Sequence, residues 1–417
     1  MKSRRNCLVT VERLSQFMTL SVTLVGVLEG RPCLSQSVFL SGAESKAAGM
    51  ESGLRADGPP SLLYNPANLS RGYGDQWSQP YIEMGFYRVN YVYEHPDYDP
   101  VIVSTTSPSA TLGYGYRLHD KVTYGVLLYP ESVSEMTVPD LPQNFGGETK
   151  TVTLDRRDVV AHGAVGAAFE VGYGVALGMS MIGTYEDHRE TITTESKENP
   201  LGNVSYRNIF YRPNMGIRYI PRDGLRTALS IRPPVVKNYR GSQKIDGSET
   251  TTSPRIVDYR PTVINAGIGA NIRPLTVNLE AQYEIWKEGS NVAKNQFIRD
   301  NTRADLKNIT QISSSMGYRF TKFHVVSLGY AHLPSPWGDG QSQEADKGGQ
   351  EGVEFGQLNG VNLDVLSLGG RWKVSDFDLS FSLARAQGTR EIVANEQNKG
   401  FYLVMINSLS GGVKRSF

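Results

Sequence analysis

The sequence predicts an all-β protein, a fourteen-stranded antiparallel β-barrel that spans a membrane. Three observations support this prediction. Fourteen segments alternate between apolar and polar residues. Short and long connections alternate between these segments, and the last residue, Phe417, lies in an alternating segment. Alternation of this kind puts one face of each strand toward lipid and the other toward the barrel lumen.

The alternation is clearest in the second half of the chain. Within 275–286, Leu275, Val277 and Leu279 share one face, while Asn278 and Glu280 share the other. This period of two residues is the pattern of a strand with one apolar face. The fourteen segments lie near 81–93, 107–118, 121–130, 157–170, 173–186, 206–220, 225–235, 261–273, 275–287, 307–319, 323–333, 361–373, 376–387 and 401–417.

The connections distinguish a membrane barrel from a soluble β-protein, whose strands also have one apolar face. Every second connection is tight, as at His119-Asp120 and Arg273-Pro274. Tight turns on one rim and long loops on the other are typical of a transmembrane barrel. An open sheet edge in hydrocarbon would leave amide groups unpaired, so the sheet must close. The long connections are 94–106, 131–156, 187–205, 236–260, 288–306, 334–360 and 388–400.

The composition agrees with a barrel and argues against other classes. The 43 Lys and Arg residues nearly balance the 42 Asp and Glu residues. No basic block stands out, which argues against a nucleic-acid partner. The six histidines have no zinc-site spacing, and no serine lies in a Gly-x-Ser-x-Gly elbow. We therefore expect a protein that is not an enzyme and that has no metal site and no cofactor.

The first 37 residues are typical of a secretory signal. Positive charges precede a short apolar core at Phe17 to Leu28, and we place cleavage after Ser37. Cys7 and Cys33 both fall in this segment, so the mature chain would have no cysteine. The expected divisions are a signal peptide at 1–37, an N-terminal segment at 38–79 and a barrel at 80–417. We expect a monomer in the cell outer membrane, where the barrel assembly machinery reads Phe417 as an assembly signal.

The N-terminal segment has a mixed character. Short helical character over Ala43 to Leu54 ends at Gly58-Pro59-Pro60, and Asn65-Pro66-Ala67 follows. Composition alone leaves two alternatives, a plug in the lumen and a periplasmic tail.

Together with the run Ala56-Asp57-Gly58 before it, the tripeptide Asn65-Pro66-Ala67 resembles the N-terminal hatch of the FadL/TodX family of outer-membrane transporters for hydrophobic compounds. The resemblance implies fourteen strands with a small hatch in the lumen. It also implies uptake of long-chain fatty acids or similar hydrophobic molecules. Extracellular loops would capture the ligand, the lumen would bind it, and a hatch movement would release it sideways into the bilayer.

The chain departs from the family pattern at Asn68, where the family usually has glycine after Asn-Pro-Ala. Asparagine also tolerates a left-handed backbone, so the turn can survive. The resemblance further implies a hatch tip at the mature N-terminus, Val38-Phe39-Leu40, although this apolar run could also be disordered. It suggests a strand kink at Gly125 and Pro130, since proline removes a ladder donor. The alternative is that Pro130 simply ends a strand.

Two groups of side chains are candidates for binding a ligand. The first group is apolar and lies in the long connections 131–156 and 334–360, where exposed apolar side chains suggest a binding groove. The alternative is that these loops pack on each other. The main members are Met136, Leu141, Phe145, Trp337 and Phe355.

The second group is four arginines that alternation places on the lumen face of two neighbouring strands. A hairpin at Arg222-Asp223 would put Arg218 level with Arg226, and Arg212 level with Arg232. Guanidinium groups could hold a carboxylate through paired hydrogen bonds. They could equally pair with acidic residues of the N-terminal segment, such as Asp57, and hold the plug.

Two other functions remain open at this point. The barrel could be a water-filled porin for small hydrophilic solutes, or an adhesin that displays its loops. The expected partners are the outer-membrane bilayer and a hydrophobic small molecule.

Overall fold

The computed structural model describes residues 52–71, 77–95, 98–145, 148–194, 200–221, 224–245, 255–288, 294–295, 307–321, 324–336, 361–393 and 399–415. The predicted signal peptide, the predicted hatch tip at Val38–Leu40 and the terminal Phe417 lie outside these residues.

The described chain forms one antiparallel sheet of seventeen strand elements. Proline residues divide two of the barrel strands, β7 from β8 and β9 from β10, and β12 is only a two-residue pairing. The barrel therefore has fourteen strands, as predicted. The elements are β1 (Ser78–His95), β2 (Tyr98–His119), β3 (Val122–Phe145), β4 (Glu148–Gly172), β5 (Val175–Thr194), β6 (Pro200–Tyr219), β7 (Leu225–Arg232), β8 (Val235–Ile245), β9 (Arg255–Arg260), β10 (Thr262–Ile272), β11 (Leu275–Ile285), β12 (Lys294–Asn295), β13 (Ile309–Arg319), β14 (His324–Leu333), β15 (Leu363–Val374), β16 (Phe377–Val393) and β17 (Lys399–Arg415).

The first and last strands pair with each other and close the sheet. The β1–β17 register runs from Tyr81 opposite Lys414 to Glu94 opposite Phe401, and β1 also pairs with β2. Closure gives the strand amides partners within the sheet, which hydrocarbon cannot supply. Among the described residues, no helix is long and apolar enough to cross a membrane.

The two faces of the wall follow the predicted alternation. Leu275, Val277 and Leu279 are exposed on the outside, whereas Asn278 and Glu280 are buried on the inside. β15 alternates in the same way, with Leu366 outside and Val365 inside. A wall that is apolar outside suits a lipid environment.

Several strands continue well beyond their predicted ends. β3 reaches Phe145 and β4 begins at Glu148, so most of the predicted loop 131–156 is a long hairpin. The loop prediction was wrong here because threonine and valine are frequent in this stretch, and both favour extended structure even outside a bilayer. Met136, Leu141 and Phe145 therefore belong to a strand.

The wall has two places where neighbouring strands separate. β2 and β3 pair from His119 opposite Val122 up to Leu112 opposite Leu128, and the described residues beyond this point show no further pairing between them. β6 and β7 pair at only five positions, from Tyr219 to Met215 on β6. Strand pairing is therefore weakest at these two seams.

Candidate functional site

Residues 52–71, which we call the lumen segment, form three short helices. They are α1 (Ser52–Arg55) and two 3-10 helices, Pro59–Leu63 and Pro66–Ser70. Each 3-10 helix begins with proline, whose fixed φ suits a first helical position. The side chain of Asn65 caps the second by accepting a hydrogen bond from the Ala67 amide at 3.1 Å.

The lumen segment lies against the inner face of the wall. Leu62 and Leu69 are fully buried and join one apolar cluster with Leu127, Ala164 and Ala168 from β3 and β4. Burying a leucine side chain contributes about 1.5–3 kcal/mol, so this contact is a substantial part of the attachment.

The Asn-Pro-Ala turn contacts the wall backbone directly. The Nδ2 of Asn65 donates to the carbonyls of Ile217 at 3.2 Å and Leu229 at 3.4 Å. These two residues are opposite each other on β6 and β7. One side chain thus caps a helix and ties two barrel strands together.

Glycines in the wall make this close approach possible. A Cβ on Gly216 would lie 2.0 Å from Oδ1 of Asn65, and one on Gly178 would lie 2.1 Å from the Ala67 nitrogen. A Cβ on Gly125 would lie 2.7 Å from a methyl carbon of Leu69. Gly125, predicted to help kink β3, therefore also makes room for the lumen segment.

Polar side chains of the wall pair with the backbone of the lumen segment. Asn214 donates to the carbonyls of Leu62 at 3.3 Å and Tyr64 at 3.1 Å, and the Ser180 hydroxyl donates to Leu62 at 2.6 Å. Because buried carbonyls need partners, these side chains fix the position of the turn. The sequence suggested no function for Ser180 or Asn214.

Glu280 holds the start of the lumen segment. Its carboxylate accepts from the Gly53 amide at 2.9 and 3.0 Å and from the Leu54 amide at 3.1 Å. Asn68, the departure from the family pattern, donates to the Gly53 carbonyl at 2.6 Å. The amide of Asn68 therefore ties the two ends of the lumen segment together.

Asp57 forms the charged contact between the lumen segment and the last strand. Lys414 lies 2.9 Å from its carboxylate and Arg371 lies 3.8 Å away. Burial raises the pKa of Asp57, but the charges of Lys414 and Arg371 outweigh burial and hold that pKa well below its ordinary value. The carboxylate is therefore ionised at neutral pH. The sequence offered the four arginines as its partners, and the structure gives it Lys414 and Arg371.

The four arginines have separate partners. Arg218 pairs with Glu170 at 2.5 Å, and Arg226 donates to Asn278 at 2.8 Å. The predicted register was two residues off, because Arg218 lies opposite Ala228. Arg212 donates to backbone carbonyls at 2.8 Å and 3.3 Å. The buried Nε of Arg232 has no hydrogen-bond partner among the described residues.

The seam between β2 and β3 begins beside Pro130. The β3–β4 register shifts between Pro130 and Ser132, which leaves Glu131 as an extra residue. His162 lies 2.5 Å from the Glu131 carboxylate, and the Tyr87 hydroxyl donates to the Glu131 carbonyl at 2.9 Å. The irregular residue is thus held from two sides.

An apolar groove of about 630 Å³ runs across β2 to β6 and reaches the outer face. Tyr124, Val126, Val165, Met179 and Met215 contribute to its lining. The groove lies below the β2–β3 seam, where lipid or an apolar ligand can occupy it.

The structure describes only some of the residues that were predicted to capture an apolar ligand. Met136, Leu141 and Phe145 lie on β3, but their side chains are outside the described part of the chain. Trp337 and Phe355 are outside the described residues altogether.

No protein-family model matches the chain, and no curated protein matches it. Solved structures do match. The Pseudomonas putida toluene transporter TodX superposes with a TM-score of 0.64 at 12% identity, over 91% of this chain and 99% of TodX. The chain has the fold of the FadL/TodX barrels. A Pseudomonas aeruginosa FadL homologue gives a TM-score of 0.66 at 10% identity, over 91% and 99% of the two chains. The Ralstonia pickettii toluene transporter TbuX gives 0.62 at 12% identity, also over 91% and 99%.

The glycine contacts predict a steric test. Gly178→Ala should loosen the lumen segment by about 1–3 kcal/mol, because a methyl group would overlap the Ala67 backbone. Limited proteolysis of the folded barrel should then cut within residues 52–71 faster than in the parent protein. Gly411→Ala is the matched control, since its Cβ would meet only the Ser380 carbonyl at 3.8 Å. Equal cutting rates for the two variants would contradict close backbone contact.

The Asp57–Lys414 pair predicts non-additive effects. Asp57→Asn and Lys414→Met should each release the lumen segment, because each leaves one buried charge without its closest partner. The double variant should be milder than the sum of the two, with a coupling energy on the order of 1–3 kcal/mol from the same proteolysis assay.

The depressed pKa gives this pair a defined pH dependence. The attachment should be fully present above the ordinary carboxyl pKa of 3.8 and weaken as pH falls toward the lower folded value. Asp57→Asn should remove that acid-dependent loss. Strictly additive effects of Asp57→Asn and Lys414→Met would show that the two residues are not coupled. An acid-dependent loss of attachment that persists in Asp57→Asn would show that Asp57 does not cause it.

Proposed function

We propose that this protein is an outer-membrane channel of the FadL/TodX family that takes up long-chain fatty acids or similar hydrophobic molecules. The observation that carries the proposal is the attachment of Asn65-Pro66-Ala67 to the inner wall through Gly178 and Gly216. The lumen segment would act as the hatch of a plugged barrel. A plugged lumen suits molecules that leave sideways into lipid and does not suit free diffusion of hydrophilic solutes.

The inner wall far from the short turns supports an apolar cargo. Val89 and Tyr91 on β1, Val365 on β15 and Ile406 on β17 face inward and are buried. A porin lumen is polar and water-filled, so apolar side chains in these positions favour a hydrophobic ligand.

The β2–β3 seam supports lateral release. A molecule that passes between the separated strands reaches the bilayer beside the outer apolar groove. In this proposal the hatch shifts, the ligand leaves through the seam, and Val38-Phe39-Leu40 occupies the ligand pocket when no ligand is bound. Met136, Leu141, Phe145, Trp337 and Phe355 are proposed to take part in capture.

The structural relatives support the same class of cargo. TodX and TbuX are described as toluene transporters, and CymD, with a TM-score of 0.57 at 12% identity over 92% of this chain, as a monoaromatic hydrocarbon channel. These ligands are apolar, so a hydrophobic molecule is the cargo we infer for this chain as well.

Arg232 is our proposed contact for a carboxylate head group. Its Nε is buried and without a hydrogen-bond partner among the described residues, so a ligand carboxylate could supply one. Arg212, Arg218 and Arg226 already donate to protein acceptors.

Transport and conductance together test the proposed function. Cells that make the protein should take up a labelled long-chain fatty acid faster than cells without it. The purified barrel in a planar bilayer should show little steady ion current, because the lumen segment obstructs the pore. A large steady current with unchanged fatty-acid uptake would favour the porin alternative. Low current without uptake, together with lost host attachment on loop deletion, would favour the adhesin.

Arg232 should discriminate between charged and uncharged ligands. Arg232→Gln should weaken binding of a fatty acid roughly tenfold or more, because a hydrogen bond to a charged group is worth about 1.5–3 kcal/mol. Binding of toluene, which has no carboxylate, should not change. Arg226→Gln serves as the matched control, since Arg226 already donates to Asn278. Equal losses for both ligands would rule out a head-group contact.

A further inference from the structure

The second seam of the wall is an interval in which β6 pairs with neither β7 nor β8. β6 pairs with β7 up to Met215 opposite Ile231, and pairing resumes with β8 at Arg207 opposite Arg240. Between these points, 208–214 on one side and 232–239 on the other form no pairs with each other among the described residues. We call this interval the β6 window.

Prolines account for the interruption. Pro233-Pro234 separates β7 from β8, and Pro261 separates β9 from β10. Proline has no N–H to donate, so the ladder loses donors where these strands are interrupted. The interruption is therefore built into the chain, and the strand carbonyls next to it need other partners.

The guanidinium group of Arg212 supplies those partners and spans the β6 window. Its Nε donates to the Pro233 carbonyl at 2.8 Å, and its Nη2 donates to the carbonyls of Arg232, at 3.3 Å, and Pro261. A single side chain from β6 thus replaces the missing strand pairing. Unlike a ladder, a side chain can swing away without unfolding a strand.

The lumen segment is attached at the base of the same window. Asn65 donates to Ile217 and Leu229, which lie opposite each other just below it. Asn214, the first residue of β6 beyond its last pair with β7, donates to the carbonyls of Leu62 and Tyr64. A movement of the lumen segment would therefore release contacts on both strands at the point where the window begins.

Outside the window the surface is apolar. Ile209 and Tyr211 on β6 are 61% and 67% exposed, and Val236 across the window is 47% exposed. The outer apolar groove also ends here, at Pro213 and Met215. A molecule leaving through the window would pass directly into hydrocarbon.

We propose that the β6 window is a second lateral exit for apolar molecules, closed by Arg212 and controlled by the lumen segment. This inference rests on the proposed function and adds to the β2–β3 seam an independent route on another part of the wall. When the lumen segment shifts, the ties at Asn65 and Asn214 break and the five-pair β6–β7 seam loosens. Arg212 then leaves its carbonyls and the ligand passes.

Cross-linking tests the second exit. Cysteines at Tyr211→Cys and Val236→Cys are bridged with a short bismaleimide after the full-length protein has folded in lipid vesicles. The rate at which toluene and a fluorescent long-chain fatty acid enter the vesicle membrane is then measured. The same bridge at Ile268→Cys and Leu279→Cys, which are paired opposite each other, is the matched control.

The result should depend on whether the first seam is open. A bridge between Ala110→Cys and Pro130→Cys closes the β2–β3 seam, which lies directly above the last pair, Leu112 opposite Leu128. Closing the window alone should lower the rate in part. Closing both should reduce it to that of vesicles without protein, and the control bridge should change nothing.

Two failures are distinguishable. If the unbridged protein moves neither probe, the proposed function fails and the second exit fails with it. If the unbridged protein moves a probe at a rate that the window bridge never alters, with the first seam open or closed, only the second exit is overturned.

Arg212→Met provides an independent check, because methionine removes the donors that bar the window. This variant should move the probes faster than the parent, and the window bridge should cancel the gain. A faster rate that persists with the window bridged would place the effect elsewhere and contradict the assignment of Arg212.

Discussion

Backbone hydrogen bonding in a solvent without water is the constraint on which this structure depends. Hydrocarbon offers no partners, so every strand amide and carbonyl at membrane depth must find one within the protein. Strand pairing around the closed sheet, including β1 with β17, meets most of this requirement. Where the ladder is interrupted by Pro233-Pro234, Arg212 meets it with a side chain. The two seams are therefore the places where the wall can change shape at the lowest cost.

Hydrogen bonds between side chains and backbone also attach the lumen segment to the wall. Asn65 donates to strand carbonyls of β6 and β7, while Asn214 and Ser180 donate to a carbonyl of the segment. Glycines bring the two backbones close enough for these bonds to form. The segment and the wall therefore share one hydrogen-bond network, and a ligand that displaces the segment would also act on the wall.

The sequence predicted the parts of the fold that follow from period-two alternation. The fourteen strands, the tight turns and the two faces all agree with the structure, as Leu279 outside and Glu280 inside show. Strand ends on the long-loop side were missed, since β3 and β4 keep pairing beyond the apolar band that marks the membrane. The height of Arg218 relative to β7 was missed by two residues. Turn type and loop length fix the register of a hairpin, and the sequence did not show that β6 ends at Tyr219 and β7 begins at Leu225.

The candidate site was harder to predict because its contacts join residues far apart in the chain. Asn65-Pro66-Ala67 stood out as a motif, but nothing in the sequence pairs it with Gly178 and Gly216. Lys414 gave no signal as the partner of Asp57, since an inward lysine near a strand end is common in a polar lumen. Such pairings emerge only once the barrel has closed and brought distant strands around the segment.

Hydrogen exchange of the lumen segment in lipid nanodiscs tests the central claim most directly. The amides of Gly53 and Leu54, bonded to Glu280, and of Ala67, bonded to Asn65, should exchange as slowly as those of neighbouring strands. Slow exchange there would mean that the segment stays attached inside the closed barrel. Complete exchange within seconds, while the strands remain protected, would mean that residues 52–71 are detached and would contradict a plugged channel.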